Sequence, residues 1–148
     1  MSELDQRIAA EIRDRVAASP FHSSMGISVE AVRDGAVDLR LDALQDHTNL
    51  HGTVHGGVLA TLADTAAGLA VRSAIAPGSG HVSVNLDVQY LAPARPGTLL
   101  ATGRVVRLGR RIAFAEAEVA ASDGTMLARA QVTIAISPPP EEEPVAPQ

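Results

Sequence analysis

An α+β fold, with one curved antiparallel sheet wrapped around a long central helix, is the expectation for this chain. Three observations lead to it. The segment GGVLATLADTAAGLAV is apolar on nearly every side and contains no proline, so it reads as a helix buried over most of its circumference. Strand-like runs stand on both sides of it, and those that follow have no helical pattern between them, which favours antiparallel pairing. A helix of that kind needs a surface to enclose it, and a curved sheet supplies one.

The elements follow in order. Residues 2–18 read as an amphipathic helix: Ser2 can cap it, Asp5 lies in its first turn, and Ile8, Ile12 and Val16 recur on one face. Ser19-Pro20 ends it. GISVEAVRDGAVDLRLDA reads as a hairpin turned at Asp34-Gly35, with Val37, Leu39 and Leu41 alternating against Asp38, Arg40 and Asp42. A polar loop, LQDHTNLHG, leads into a helix over 54–75, whose sparse polar or glycine positions, Thr61, Asp64, Thr65, Gly68 and Arg72, form one narrow stripe. In the next strand, Val82, Val84, Leu86, Val88 and Tyr90 share one face and His81, Ser83, Asn85, Asp87 and Gln89 the other. Three more strands, TLLATGRVVRL, RIAFAEAEVAAS and TMLARAQVTIAIS, are separated by turns at Leu108-Gly109-Arg110 and Asp123-Gly124. The order α-β-β-α-β-β-β-β is that of the hotdog fold. Residues 1–20 are assigned to the N-terminal helix, 21–137 to the hotdog domain, and 138–148 to a disordered Pro/Glu tail.

Composition excludes several classes of function. With 148 residues, 46% apolar and 20% charged, the chain suits one globular domain. Aromatic residues are 2% and the net charge is −5, against the basic, stacking surface of a nucleic-acid reader. No cysteine is present, so thiol nucleophiles, disulfides and thiolate metal sites are out. All 12 basic residues are arginine, which removes Schiff-base lysines and a Walker lysine. The charged N-terminus lacks the apolar stretch of a signal peptide, and the longest apolar run is too short and mixed to span a membrane. The expected compartment is the cytoplasm.

The chemistry concentrates in HTNLHGTVHGGVLATLAD, residues 47–64. His47, His51 and His55 would line one face of a helix and could hold a metal there, but Asn49 and Gly52 oppose a helix through this loop, so no metal is expected. Gly56-Gly57 at a helix start presents free backbone N–H groups with the positive end of the helix dipole behind them. An oxyanion needs such donors when a carbonyl is attacked. Asp64, two turns on, is costly to bury on an apolar helix unless it is paired or lines a wet cavity. There it is either a satisfied structural carboxylate, a general base for water, or a nucleophile. His55 and Asn49 can steer a carbonyl or a water, and Ser83 can join from a neighbouring strand. These parts describe acyl transfer to water; no G-x-S-x-G elbow is present to suggest a serine triad.

The pattern N-x-x-G-x-x-H-G-G-x(6)-D from Asn49 to Asp64, together with VSVNLDVQYLAPARPG and GRVVRLGRRIAFAEAEV, resembles the hotdog-fold acyl-CoA thioesterases of the phenylacetate-degradation (PaaI-like) type, over roughly residues 25–137. The resemblance implies hydrolysis of acyl-CoA thioesters, aryl or medium-chain, by homo-oligomers built as dimers of dimers, with no cofactor. It implies that Asp64 is the catalytic carboxylate, that Gly56 supplies the oxyanion N–H, that His55 and Asn49 orient thioester and water, and that Ser83 helps hold the water. Asp64 and Ser83 would face Asn49, His55 and Gly56 across a subunit boundary. Coenzyme A phosphates call for arginine; the candidates are Arg72, Arg95, Arg107, Arg110 and Arg111, the cluster 107–111 foremost. The acyl group is expected beside Gly57, Thr61, Ala67 and Gly68, with Phe21 closing the pocket. Two competing functions remain at this stage: a hotdog enoyl-CoA hydratase and a non-catalytic acyl-CoA-binding subunit.

Overall fold

A computed structural model describes residues 2–141. Helix α1 (Glu3–Ala18) starts at Ser2, whose Oγ accepts the Asp5 N–H at 3.1 Å while the Asp5 carboxylate accepts the Ser2 N–H at 2.9 Å. This reciprocal pair satisfies donors that the first turn leaves open. Ser19 then caps a short second helix, α2 (Pro20–Met25), with Pro20 in its first turn. Helix α2 is a departure from the sequence expectation, in which Ser19-Pro20 only ends α1. Proline equally suits the first position of a new helix, and six residues are too few to show a period.

Strands β1 (Ile27–Arg33) and β2 (Ala36–Ala43) form the expected hairpin. Helix α3 (Gly56–Ala74) follows, then β3 (Gly80–Tyr90), β4 (Gly97–Leu108), β5 (Ile112–Ala121) and β6 (Met126–Ser137). All six strands join one antiparallel sheet in the order β1-β2-β4-β5-β6-β3, so β1 and β3 are its edges. Residues 138–141 carry no regular structure, and the rest of the expected tail lies outside the described residues. Among the described residues no helix is long and apolar enough to cross a membrane.

The core lies between α3 and the concave face of the sheet. Leu59, Leu62, Ala63, Ala66, Ala67 and Val71 of α3 are buried against Leu39, Leu41, Leu99, Val119, Leu127, Val132 and Ile134. Small residues bring helix and sheet close together: Ala113, Ala115 and Ala117 line β5, and a Cβ at Gly103 of β4 would run into the Ala66 carbonyl. That close approach lets small residues fill a core with so few aromatic side chains.

One register shift decides where the site falls. In the β3–β6 ladder Ser83 pairs with Ile134 and Asn85 with Thr133, which leaves Val84 as the extra residue of a bulge. Paired residues share a face. Ser83, opposite buried Ile134, therefore faces α3, and beyond the bulge so do Leu86, Val88 and Tyr90, opposite buried Val132, Ala130 and Ala128. The expectation of one face from Val82 to Tyr90 with Ser83 on the other is corrected: the bulge flips the alternation midway.

Candidate functional site

The loop before α3 is tied at nearly every residue. Gln45–His47 form a 3-10 turn, in which His47 Nδ1 accepts the Leu44 N–H at 2.8 Å. Asn49 Oδ1 accepts the backbone N–H groups of His51 at 2.9 Å and Thr53 at 3.2 Å, and its Nδ2 donates to Thr53 Oγ1 at 2.9 Å. The His55 N–H donates to the His47 carbonyl and the Val54 N–H to the Ala94 carbonyl, both at 2.8 Å. Asn49 is thus the hub of a closed loop, using its side chain to hold the backbone that presents His55. The three histidines occupy a 3-10 turn, a loop and a helix cap rather than one helical face.

His55 caps α3: its Nδ1 accepts the Gly57 N–H at 2.8 Å. In neutral imidazole that leaves the proton on Nε2, as a donor pointing away from the helix. The expectation of two free N–H groups is corrected here, because the Gly57 N–H is consumed by the cap. The Gly56 N–H takes no acceptor among the described residues and sits at the positive end of a 19-residue helix. The double glycine has a steric reason as well. A Cβ at Gly57 would lie 2.9 Å from His55 Nδ1, and one at Gly56 would lie 3.2 Å from the Tyr90 ring. The Tyr90 hydroxyl, which sequence reading did not single out, donates to the Gly56 carbonyl at 3.1 Å.

Farther along α3, half-buried Asp64 accepts a hydrogen bond from Ser83 Oγ at 2.7 Å. The bulge in β3 makes this contact possible by turning Ser83 toward the helix. One carboxylate oxygen is engaged by Ser83, and the other carries no partner among the described residues. Eight residues separate Gly56 from Asp64, which at 1.5 Å per residue is about 12 Å along the axis. Within one chain, these two halves are too far apart to act on one carbonyl. Each half alone has a limited use: one can polarise a carbonyl, the other can take a proton or attack.

Thr61 lies between them, with its hydroxyl donating to the Gly57 carbonyl at 2.8 Å. It lines a cleft of about 330 Å³ together with Phe21 and Met25 of α2, Asp46, His47 and Thr48 of the preceding loop, and His55, Gly57 and Val58. Gly68 lies against His81, whose ring is 3.8 Å from where its Cβ would be. Ala67 is fully buried in the core. The assignment of Arg72 to a phosphate contact is corrected: its side chain is 0% exposed and forks onto Glu11, with Nε to Oε1 at 3.1 Å and Nη2 to Oε2 at 3.2 Å. It ties α1 to α3. Arg107, Arg110 and Arg111 are exposed at the β4–β5 turn, without a carboxylate partner among the described residues. That turn reaches β6 through the Ile136 N–H, which donates to the Arg111 carbonyl at 2.8 Å, and β6 pairs there with the start of β3.

Comparison with known proteins fits this geometry. Residues 51–128, from the histidine loop into β6, match the family pattern described as the thioesterase superfamily. A protein of Halobacterium salinarum that carries an esterase designation is 45% identical over 116 residues, which cover 75% of this chain and 76% of its own length. Human acyl-coenzyme A thioesterase 13 is 29% identical over 121 residues, covering 80% of this chain and 86% of its own. The Escherichia coli PaaI protein, from the phenylacetic acid degradation operon, superposes with a TM-score of 0.83 over 90% of this chain and 95% of its own, at 22% identity. That last likeness is one of fold, and the wrapped sheet is accordingly a hotdog fold.

Proposed function

The chain belongs to the thioesterase superfamily and is a thioester hydrolase, and from that premise we propose that its substrates are acyl-coenzyme A thioesters, cleaved to a free acid and coenzyme A. The observation that carries the reading is the carboxylate of Asp64, set on a largely apolar helix and oriented by Ser83 at 2.7 Å. A merely structural carboxylate would be expected to have a cation or several N–H donors; this one keeps an oxygen without a partner among the described residues. The human relative's name supports coenzyme A as the carrier.

The reaction needs both halves of the site, so the proposal includes a homodimer in which the Asp64 and Ser83 of one subunit meet the Asn49 loop, His55 and Gly56 of another. Two such dimers would pair into the tetramer that the family resemblance implies. Strand β3 supports the first contact, being an open edge with Val82, Val84 and Tyr90 exposed. The thioester oxygen accepts from the Gly56 N–H and from His55 Nε2–H, and Asn49 serves by holding the loop that aims them. Asp64 then takes a proton from a water that Ser83 helps position, and the water oxygen bonds to the carbonyl carbon. Alternatively, Asp64 attacks that carbon itself and water later opens the anhydride. Either way the C–S bond breaks, and coenzyme A departs as a thiolate that is then protonated. Backbone and side-chain groups supply every part of this step, so no metal or cofactor enters it. Arg107, Arg110 and Arg111 are the cations assigned to the phosphates, and the cytoplasm is the compartment this chemistry implies.

Thiol release from a panel of aryl and aliphatic acyl-CoA thioesters, by wild type and Asp64→Asn, tests the reading. Wild-type turnover with a loss on the order of a hundredfold or more in the variant is expected. A folded Asp64→Asn protein with near-normal turnover would overturn it. Single turnover in heavy-oxygen water separates the two routes, because label reaches Asp64 only if it attacks directly.

A further inference from the structure

Strand β3 holds α3 by two side-chain hydrogen bonds. Ser83 Oγ donates to Asp64 at 2.7 Å, and at the far end of the strand the Tyr90 hydroxyl donates to the Gly56 carbonyl at 3.1 Å. We propose that Tyr90 is a positioning residue for the oxyanion donor: its ring and hydroxyl lock Gly56 so that the Gly56 N–H stays aimed at the thioester oxygen. This rests on the hydrolase reading above and adds to that site a residue that acts through Gly56 rather than on the substrate.

Glycine creates the need for such a lock. Gly56 is the first residue of α3, where helices fray, and Gly57 follows it, so no Cβ restricts the torsions over two residues. A peptide group is planar, so fixing the carbonyl on one side of it fixes the N–H on the other. The group that carries the Gly56 N–H is held at its far side, where the His55 carbonyl accepts the Val58 N–H at 2.9 Å. The following group is held by Tyr90 at the Gly56 carbonyl and by His55 Nδ1, which accepts the Gly57 N–H at 2.8 Å. With both planes pinned, the two torsions of Gly56 between them are set. The Tyr90 ring stands in for the missing side chain, since it lies 3.2 Å from where a Gly56 Cβ would be.

Tyr90 itself has a firm base. It pairs with buried Ala128 in the β3–β6 ladder, and the next N–H, that of Leu91, donates to the Leu127 carbonyl at 2.8 Å. The Ala94 carbonyl just downstream accepts the Val54 N–H at 2.8 Å, which ties the same connection to the residue before His55. Gly56 and Tyr90 stand together on the wall of a cleft whose other lining side chains are all apolar, so the hydroxyl meets no competing side-chain partner there.

The test compares wild type with Tyr90→Phe, which keeps the ring, and Tyr90→Leu, which keeps neither ring nor hydroxyl. On the acyl-CoA thioester that wild type cleaves best, Tyr90→Phe should lower kcat on the order of five- to tenfold, the loss of one hydrogen bond, with KM and melting temperature nearly unchanged. Tyr90→Leu should lower kcat further. Wild-type kcat in Tyr90→Phe overturns the proposal, as does a raised KM at constant kcat, the mark of a wall that only binds substrate. Two coenzyme A derivatives that cannot be hydrolysed separate this from the hydrolase reading: a trifluoromethyl ketone, whose hydrate mimics the tetrahedral intermediate, and a thioether of the same length without the oxygen. Wild type should bind the ketone more tightly, and Tyr90→Phe should weaken it about as much as it lowers kcat while leaving the thioether unchanged. If no thioester is cleaved but the ketone alone weakens, hydrolysis falls and the positioning role stands. Equal weakening of both ligands, or a wild type that binds the ketone no better than the thioether, overturns the proposal whatever the turnover.

Discussion

A methyl group at Gly57 would sit 2.9 Å from His55 Nδ1, and this contact separates the scaffold from the proposed chemistry. Helix propensity favours alanine over glycine by roughly 1 kcal/mol, so Gly57→Ala should cost little stability. It should nevertheless push the imidazole off its cap, turning Nε2–H away from a bound carbonyl. The expected result is a nearly unchanged melting temperature with kcat reduced on the order of tenfold or more, read by thermal denaturation and thiol release on one preparation. A large loss of stability with full activity in the remaining folded fraction would show that the cap serves only the helix. The same nitrogen bears on metals. His47 Nδ1 is taken by the Leu44 N–H and His55 Nδ1 by the Gly57 N–H, both at 2.8 Å. Dialysis against a chelator should therefore leave turnover intact; a loss restored by one added divalent ion would return the histidine loop to consideration as a metal site.

Helix α1 docks through apolar Ala9, Ile12 and Val16 and through one ion pair whose cation is fully buried. Removing the carboxylate strands a desolvated guanidinium, so Glu11→Ala should cost about 3 kcal/mol in urea unfolding, whereas Glu11→Leu with Arg72→Met should come close to neutral. Arg72 also holds the Glu11 carboxyl below its usual range. A depressed carboxylate contributes its stability above the ordinary glutamate value and loses it as pH falls through the folded value. His81 adds an earlier acid-sensitive step, because burial first, then Arg72 and Arg15, lowers its pKa. The unfolded chain binds the proton more readily, so stability declines as pH drops below the ordinary histidine range, and His81→Gln should flatten that part of the profile. These elements also show what was legible in the sequence. Val37, Leu39 and Leu41 announced their strand because one buried face imposes strict alternation, and α3 announced itself because it is enclosed nearly all round. The residue types of the site, Gly56 at a helix start and a lone Asp64 two turns on, were legible for the same reason. Arg72 was misread because its partner lies 61 residues away, and a polar position on a helix stripe looks the same whether it faces a ligand or a buried carboxylate. The faces along β3 were misread for Leu86, Val88 and Tyr90, which share the side of Ser83, because a bulge is recorded in the pairing rather than in the strand's own pattern.

At the scale of the whole molecule, the sheet is unevenly finished. Edge strand β1 has α1 and α2 packed beside it, while β3 runs 11 residues along an open edge with Val82 63%, Val84 57% and Tyr90 56% exposed. Long apolar edges are templates for another strand unless charge, proline or cover blunts them, and β3 carries only Asp87 and the Val84 bulge against that. The same strand delivers Ser83 to Asp64, so the proposed subunit contact and the proposed carboxylate share one element. About 12 Å of helix still separates that carboxylate from the Gly56 N–H of its own chain, a gap that the proposed dimer closes with a second copy. Mixing two inactive proteins puts this to the test. In a dimer of Asp64→Asn with His55→Ala, one site combines both lesions, but the other joins the intact His55 of the first chain to the intact Asp64 of the second. After dissociation and random reassociation at equal concentrations, roughly a quarter of the wild-type rate should return, since half the dimers are mixed and each has one whole site. Activity that never exceeds the sum of the two parents, although subunit exchange is shown by mass or fluorescence, would mean that each chain completes its own site. The 12 Å separation would then have to be closed by movement within the subunit rather than by its partner.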